Sequence, residues 1–309
     1  MANLYDTARV LGVPFTAEHK PNRQILQTSE LALNYFEWGS PDSPRILLLH
    51  GFAQTARSWD LIALSLADRY HVISVDARGH GDSEWSANAA YSPEDHRRDV
   101  KTLIKHLGST PITLIGLSMG GGTSYSYAAE HAEDIRALVI TDTGPVGNPK
   151  GRSRINDFVT MDDELDTLEE FVVRIHGYSS ARTLEQVRSS VMNNVMQNKA
   201  GKWTWKYDKA LRDPSRPRKR MAQQQAWAYL KSISCASLLI RGANSDLFMA
   251  ETAVEMQKVM QNCTLVTVEN AGHLVPRDNP IGFLQAVSPW LDEIHGIDSV
   301  LSELSVGAE

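Results

Sequence analysis

Leu114-Ile-Gly-Leu-Ser-Met-Gly-Gly-Gly122 is the stretch of this chain that decides its fold. It contains the pattern Gly-x-Ser-x-Gly, with Ser118 between Gly116 and Gly120. The apolar run Pro111–Ile115 predicts a strand before the serine, and a helix-like run follows it. A serine in a tight strand-to-helix turn needs neighbours with almost no side chain. The pattern therefore predicts a turn that lifts a nucleophilic hydroxyl clear of a sheet, at the partly positive end of a helix.

Short apolar runs alternate with helix-like stretches on both sides of this turn, which is typical of a parallel sheet covered by helices. The predicted buried strands are Arg45–His50, His71–Asp76, Pro111–Leu117, Ala137–Asp142, Ala236–Arg241 and Thr264–Glu269. An earlier strand, Leu33–Trp38, alternates in polarity and is predicted to form an antiparallel edge. The predicted helices are Trp59–Ala67, Pro93–Leu107, Met119–His131, Met249–Met260 and Pro280–Ile294. We expect Gly121 and Gly122 to let the helix after Ser118 pack close to the sheet.

The alternation of strands and helices stops between residues 147 and 233. We interpret 147–233 as a helical lid inserted into an α/β core made of residues 1–146 and 234–309. The overall prediction is an α/β fold with a mostly parallel, doubly wound sheet and a helical cap.

Two helix-start patterns support the helical interpretation of the lid. Thr160 with Asp163, and Thr183 with Gln186, each resemble a capping pair ahead of apolar residues at helical spacing. A third lid helix is predicted from about 217 to 229.

Two further features of the lid have alternative interpretations. Trp203, Trp205 and Tyr207 could line an apolar substrate pocket, or they could dock the lid on the core. The basic run from Arg212 to Arg220 could bind an anion or a partner. We favour a solvated loop and helix start, because the surrounding chain is acidic and no stacking aromatics are interleaved.

Composition excludes several classes of function. The 309 residues carry a formal net charge of -6 and a sequence pI of about 5.9, which does not favour binding to nucleic acid or to an acidic membrane. The first twenty residues lack an apolar signal-peptide core, and no segment is apolar enough to span a bilayer. Cys235 and Cys263 are too few for a disulfide framework, so we expect a cytoplasmic protein with small buried thiols. No metal-ligand spacing is present, and no cofactor is predicted.

Five segments resemble the motifs of the α/β-hydrolase superfamily, and the resemblance covers almost the whole chain outside the lid. They are His50-Gly-Phe-Ala53, Asp76-Ala-Arg-Gly-His-Gly-Asp-Ser83, Gly116–Gly120, Arg241-Gly-Ala-Asn-Ser-Asp246 and Ala271-Gly-His273. They occur in the order that the family uses, with the serine first, then the acid, then the histidine.

The resemblance implies a catalytic triad. Ser118 is the implied nucleophile, and His273 is the implied base, since an imidazole can accept a proton near neutral pH. Asp246, in the loop after a late strand, is at the family's usual position for the acid that orients the base. Asp142 is the alternative acid, because it ends another central strand and some members of the superfamily place the acid there.

The resemblance also implies an oxyanion hole formed by two backbone N–H groups. One belongs to Met119, the residue after the nucleophile, and the other to Phe52, in the turn after His50 and Gly51. Because the donors are backbone groups, this role does not specify the two side chains.

These inferences predict a serine hydrolase that cleaves a carboxylic ester or lactone of a small apolar substrate through an acyl-enzyme. The serine at position 118 argues against epoxide hydrolases and haloalkane dehalogenases, which use aspartate there. The alternatives are a carbon–carbon bond hydrolase of the meta-cleavage type, a cofactor-free haloperoxidase or perhydrolase, and a ligand receptor derived from a hydrolase. The sequence leaves the oligomeric state open.

Overall fold

A large sheet of eight strands forms the centre of the molecule. The computed structural model describes residues 3–108, 111–178, 182–216 and 219–297. The strands are β1 (Asn22–Gln27), β2 (Ala32–Trp38), β3 (Arg45–Leu49), β4 (His71–Val75), β5 (Ile112–Leu117), β6 (Ile135–Thr141), β7 (Val195–Gln197), β8 (Trp203–Trp205), β9 (Ala236–Gly242) and β10 (Cys263–Val268). The large sheet has the order β1-β2-β4-β3-β5-β6-β9-β10, and β7 pairs with β8 in a separate hairpin.

The sheet is parallel from β4 to β10, as predicted, and all six predicted strands are present. The predicted burial of Thr264–Glu269 is wrong, because β10 is the edge strand of the sheet and only Val268 in it is buried. Strand β2 is antiparallel to β4, but it is not an edge, because β1 pairs with its outer side. The edge prediction for Leu33–Trp38 is therefore wrong. Strand β1 is not predicted from the sequence, because most of its side chains are exposed and it therefore has no continuous apolar run.

Eleven α-helices are assigned within the described ranges. They are α1 (Leu4–Leu11), α2 (Asp60–Leu66), α3 (Pro93–Leu107), α4 (Met119–Glu130), α5 (Pro149–Thr160), α6 (Leu168–Tyr178), α7 (Leu184–Ser190), α8 (Gln223–Ser232), α9 (Ala250–Val259), α10 (Val275–Asp278) and α11 (Pro280–His295). The five predicted core helices correspond to α2, α3, α4, α9 and α11. Helix α3 matches its prediction at both ends, because Ser92 caps its start and Gly108 ends it at a φ of 69°. Within the described ranges, no helix is long and apolar enough to cross a bilayer.

The core lies on both faces of the large sheet. Alternate residues of β3 belong to different apolar clusters: Ile46 and Leu48 pack on one face, and Leu47 and Leu49 pack on the other. This two-sided burial explains why the central strands read as continuous apolar runs. It also fixes the carboxyl ends of β3, β5 and β6 along one edge of the sheet.

The lid segment contains helices α5 to α7, the β7–β8 hairpin and α8. The expected capping pair at Thr160 and Asp163 is wrong, because Thr160 ends α5 and its hydroxyl donates to the Asn156 carbonyl. The pair at Thr183 and Gln186 is confirmed and caps α7. The predicted third helix begins six residues late, at Gln223, and Pro217 lies outside the described residues.

The β7–β8 hairpin corrects the all-helical interpretation of the lid. Val195 pairs with Trp205, and Gln197 pairs with Trp203. The turn between them includes Gly201 at a φ of 77°, a conformation that glycine adopts without strain. The alternation of Trp203 and Trp205 around a threonine is typical of a strand, but three residues are too few to predict a strand from the sequence.

Candidate active site

Ser118 occupies the sharp turn between β5 and α4. Its φ is 53° and its ψ is -112°, a strained conformation for a residue that has a side chain. A Cβ added at Gly120 would collide with the backbone carbonyl of Leu49, and one added at Gly116 would collide with the backbone of Gly120. The two glycines of the motif are therefore needed for the close approach of the helix, as the pattern predicts.

The two glycines that follow differ from one another. A Cβ at Gly121 would press on the Thr143 methyl group, so close packing explains this glycine. A Cβ at Gly122 would meet no described atom within 4 Å. The expectation that Gly122 is needed for packing is therefore wrong, and this residue instead lines the cavity beside Ser118.

His273 connects Ser118 to a buried carboxylate. Its Nε2 lies 3.0 Å from Ser118 Oγ, and its Nδ1 lies 2.8 Å from Asp142 Oδ2. An ionised carboxylate can only accept hydrogen bonds, so Nδ1–H donates to Asp142 and Nε2 faces the serine hydroxyl as an acceptor. Asp142 is fully buried and His273 is 5% exposed, so water does not compete for this contact.

Asp142 directly follows β6 and is held by two further donors. Its φ is 48°, which turns the side chain at the carboxyl edge of the sheet. The Gly242 N–H donates to Oδ1 over 2.9 Å, and the Ser245 hydroxyl donates to Oδ2 over 2.6 Å. These contacts fix the orientation of the carboxylate toward His273.

The structure corrects the preference for Asp246 as the orienting acid. Asp246 forms an ion pair with Arg154 of α5, with the Arg154 Nε atom 2.8 Å from Oδ2. The loop after β9 does reach the site, but through Ser245, one residue earlier. Adjacent residues of this loop point in different directions, Ser245 toward Asp142 and Asp246 toward Arg154. The sequence does not reveal which of the two faces the site.

Phe52 and Met119, the predicted oxyanion donors, both line the cavity at Ser118. Met119 is the first residue of α4, where backbone N–H groups have no partner within the helix. The turn that carries Phe52 is held by the buried His50 ring, whose Nε2 accepts from the Ala77 N–H and whose Nδ1 donates to the Gly51 carbonyl. Burial lowers the pKa of His50, which favours the neutral ring that this arrangement requires.

The cavity beside Ser118 has a volume of about 280 Å³. Most of its walls are apolar and come from both the core and the lid, including Tyr125, Val146, Ile155, Leu211 and Phe248. A predominantly apolar pocket with a few polar groups at one point is the usual form of a small-molecule site.

A sequence profile of the α/β-hydrolase fold matches residues 44–280. The chain belongs to the α/β-hydrolase family. Its relatives include proteins named as hydrolases, a lipase and an esterase, and this α/β-hydrolase is a hydrolase.

Three comparisons indicate how far the likeness extends. A 3-hydroxybutyrate-oligomer hydrolase from Cupriavidus necator is 32% identical and covers 77% of this chain and 86% of its own. The sn-1-specific diacylglycerol lipase ABHD11 of Mus musculus is 28% identical over 92% of this chain and 93% of its own. The solved structure of the M. tuberculosis esterase Rv0045c superposes with a TM-score of 0.76 at 24% identity, over 94% of this chain and 97% of that one.

Of the two interpretations of the lid aromatics, the substrate pocket is wrong, because Trp203, Trp205 and Tyr207 do not line the cavity, and docking of the lid is confirmed. Trp205 and Tyr207 are buried in the lid's own apolar cluster, and Trp203 packs against it. The Tyr207 ring stacks on His80 at a centroid distance of 6.0 Å. The Gly81 N–H donates to the Lys206 carbonyl over 2.7 Å, so the aromatics dock the lid on the turn after β4.

The basic run of this α/β-hydrolase divides into two parts. Arg212 forms a buried ion pair with Asp163, and Arg216 is exposed near Asp213. Residues 217 and 218 lie outside the described ranges. The interpretation as a solvated segment is wrong for Arg212, whereas Lys219 and Arg220 are exposed loop residues that also line the cavity.

One group of side chains has the spacing of a metal site within the described ranges. His131, Glu133 and Asp134 lie together just beyond the carboxyl end of α4, whereas Ser118 lies at its amino end. Tyr127 already donates to Asp134 over 2.6 Å and packs on the His131 ring. These contacts give the group a structural role away from Ser118.

Proposed function

We propose that this hydrolase is a serine esterase that cleaves carboxylic esters, lactones included, through an acyl-enzyme on Ser118. The observation that carries the proposal is the continuous line of hydrogen bonds from Asp142 through His273 to Ser118. A hydroxyl paired with a base, which is in turn oriented by a carboxylate, is the arrangement that activates a serine for attack on a carbonyl carbon.

The reaction begins when Ser118 Oγ bonds to the ester carbonyl carbon and His273 Nε2 takes its proton. The oxygen that becomes negative is stabilised by the N–H groups of Met119 and Phe52, which stay our proposed oxyanion donors. Collapse of this intermediate breaks the bond to the alcohol, which leaves with the proton from His273. Water then attacks the acyl-enzyme, gives its proton to His273, and the acid is released as Ser118 regains its proton.

The cavity and the relatives favour esters over other acyl donors. The apolar walls suit a short acyl chain, and the site has room for a small molecule only. A lipase and an esterase are among the relatives. The aspartate expected of epoxide hydrolases is replaced by Ser118, which favours attack on a carbonyl.

An assay with p-nitrophenyl butyrate tests the proposal. We expect turnover that depends on Ser118, with kcat/KM lowered by roughly 10⁴-fold or more in Ser118→Ala. Ser153→Ala is the matched control, because Ser153 is an exposed serine of α5. Wild-type turnover by the Ser118→Ala protein would refute the mechanism. Binding without turnover by the wild-type protein would favour a receptor instead.

A further inference from the structure

We infer that the ester carries an anionic group of its own, a carboxylate above all, which Arg152, Lys219 and Arg220 bind in the cavity beside Ser118. This inference rests on the proposed esterase function and names its substrate class. The three cations come from two lid segments, α5 and the residues just before α8. Most of the cavity lining is therefore apolar, and its positive charges come from the lid.

The charge of the cavity is one-sided. Arg152, Lys219 and Arg220 line it, and no aspartate or glutamate is among the described residues that do. None of the three cations forms an ion pair with a carboxylate in the described part of the chain. A substrate with a carboxylate would supply the missing negative charge.

Several other lid arginines are paired with carboxylates, whereas Arg174 and Arg182 donate instead to backbone carbonyls. Arg154 pairs with Asp246, Arg188 with Glu169 and Arg212 with Asp163. Cations that line one cavity without a carboxylate repel one another, and an anion among them would relieve that repulsion.

Arg152 and Arg220 lie close enough to affect each other's charge. Although the Arg220 side chain is exposed, neighbouring protein atoms partly desolvate its guanidinium and lower its pKa, and the positive charge of Arg152 lowers that pKa further. Arg152 is half-buried, whereas Lys219 and Arg220 are exposed, so the charged cluster extends from the cavity toward solvent. A guanidinium can bind a carboxylate through two parallel hydrogen bonds, which makes Arg152 and Arg220 the better suited pair.

Gly147 gives the Arg152 side chain its place. A Cβ at residue 147 would lie 2.8 Å from Arg152 Nε, so a larger residue would displace the guanidinium. Gly147 and Val146 also line the cavity, in the segment between β6 and α5. The same segment begins at Asp142, so the orienting acid and the cationic cluster are fixed by one stretch of chain.

A matched pair of esters tests the inference. The anionic member is p-nitrophenyl hydrogen adipate, and the neutral member is methyl p-nitrophenyl adipate, in which the distal carboxylate is capped. We expect wild-type kcat/KM to be at least about tenfold higher for the anionic ester, since binding a charged group through a charged donor is worth roughly that much. A second pair, 4-carboxyphenyl hexanoate and 4-(methoxycarbonyl)phenyl hexanoate, places the charge on the alcohol side.

Variants assign the preference to the cluster. In Arg152→Gln and Arg220→Gln we expect the ratio of the two kcat/KM values to fall roughly tenfold each. Lys150→Gln removes the same charge from the same helix at an exposed position outside the cavity, and it should leave the ratio unchanged. Raising the ionic strength should lower the ratio for the wild-type protein, because the exposed cations are screened.

The outcomes separate this inference from the esterase function. Equal rates for the charged and neutral members of both pairs, or a preference that survives Arg152→Gln and Arg220→Gln, would overturn the inference while the esterase function stands. Thermal stabilisation of Ser118→Ala by hexanoate but not by hexanamide would support the cationic site without requiring turnover. No stabilisation by either would count against it. Failure to hydrolyse any of the four esters would instead overturn the esterase function.

Discussion

At the scale of single residues, the site depends on two side chains held in strained backbone conformations. Ser118 and Asp142 each directly follow a central strand, and both have a positive φ. Such conformations cost roughly 1–3 kcal/mol each and persist where the surrounding structure fixes them. Here the neighbouring strands do so, because the Ser118 N–H donates to Thr141 and the Asp142 N–H donates to Ile240.

The hydroxyl of Ser245 should contribute to stability through Asp142. We expect Ser245→Ala to lower the free energy of unfolding by about 2 kcal/mol, because a fully buried carboxylate loses a donor. Asn244→Ala, at the exposed neighbouring position, should change it by less than about 0.5 kcal/mol. Urea unfolding of the three proteins measures the difference. Equal stability of Ser245→Ala and the wild-type protein would contradict the assigned role.

The sequence identifies the proposed nucleophile and the proposed base more readily than the proposed acid. Ser118 is marked by glycines whose absence of side chain is a steric requirement, and His273 by its place after the last strand of the sheet. Asp142 and Asp246 each follow a central strand, so strand position alone does not separate them. The backbone turn at Asp142 and the ion pair of Asp246 with Arg154 separate them in space.

At the scale of elements, the junction of β5 and α4 is the tightest part of the fold. Gly120 and Gly122 lie two residues apart in α4 but face different surroundings. We expect Gly120→Ala to lower the free energy of unfolding by about 3 kcal/mol, because its Cβ would meet backbone that cannot move aside. Gly122→Ala should be neutral or stabilise by up to about 1 kcal/mol, because alanine favours helix. Thermal or urea unfolding compares the two, and a tolerated Gly120→Ala would contradict the packing argument.

Elements were predictable from sequence where burial on two faces leaves a continuous apolar run. The central strands and α3 have that signal or a clear cap, and they lie where predicted. The exposed strand β1 and the three-residue strands of the lid hairpin lack it. The lid aromatics illustrate the same point. The alternation of Trp203, Trp205 and Tyr207 indicates that these side chains share one face, but it does not show whether that face packs on the core or lines the cavity.

At the scale of the whole molecule, the lid and the core meet at the cavity beside Ser118, along the carboxyl edge of the sheet. The lid contributes the cationic wall of the cavity and is docked through Tyr207 and His80. The core contributes Ser118, His273 and Asp142. We therefore expect the lid to govern substrate choice and the core to govern the chemistry.

Buried histidine makes the stability of the molecule depend on pH. Burial, with the nearby charge of Arg78, lowers the pKa of His96 to about 4. Between about pH 6.5 and 4 the unfolded chain binds a proton at this residue that the folded chain does not, so stability falls as pH falls through this window. The loss from His96 alone is on the order of 3 kcal/mol.

The variant His96→Gln isolates this effect. Between pH 6.5 and pH 4 we expect the free energy of unfolding of the variant to fall by about 3 kcal/mol less than that of the wild-type protein. His106→Gln, at an exposed position of the same helix, serves as the control and should follow the wild-type curve. Parallel curves for His96→Gln and the wild-type protein would show that His96 is not buried in its neutral form.

The central claim is that Asp142, and not Asp246, orients His273 toward Ser118. The most direct measurement compares kcat on p-nitrophenyl butyrate for Asp142→Asn and Asp246→Asn. We predict that Asp142→Asn lowers kcat by roughly 10³- to 10⁴-fold, because an amide in place of the carboxylate stabilises the wrong tautomer of the base, whereas Asp246→Asn stays within about threefold of the wild-type value. A large loss in Asp246→Asn together with a nearly normal Asp142→Asn would contradict the account.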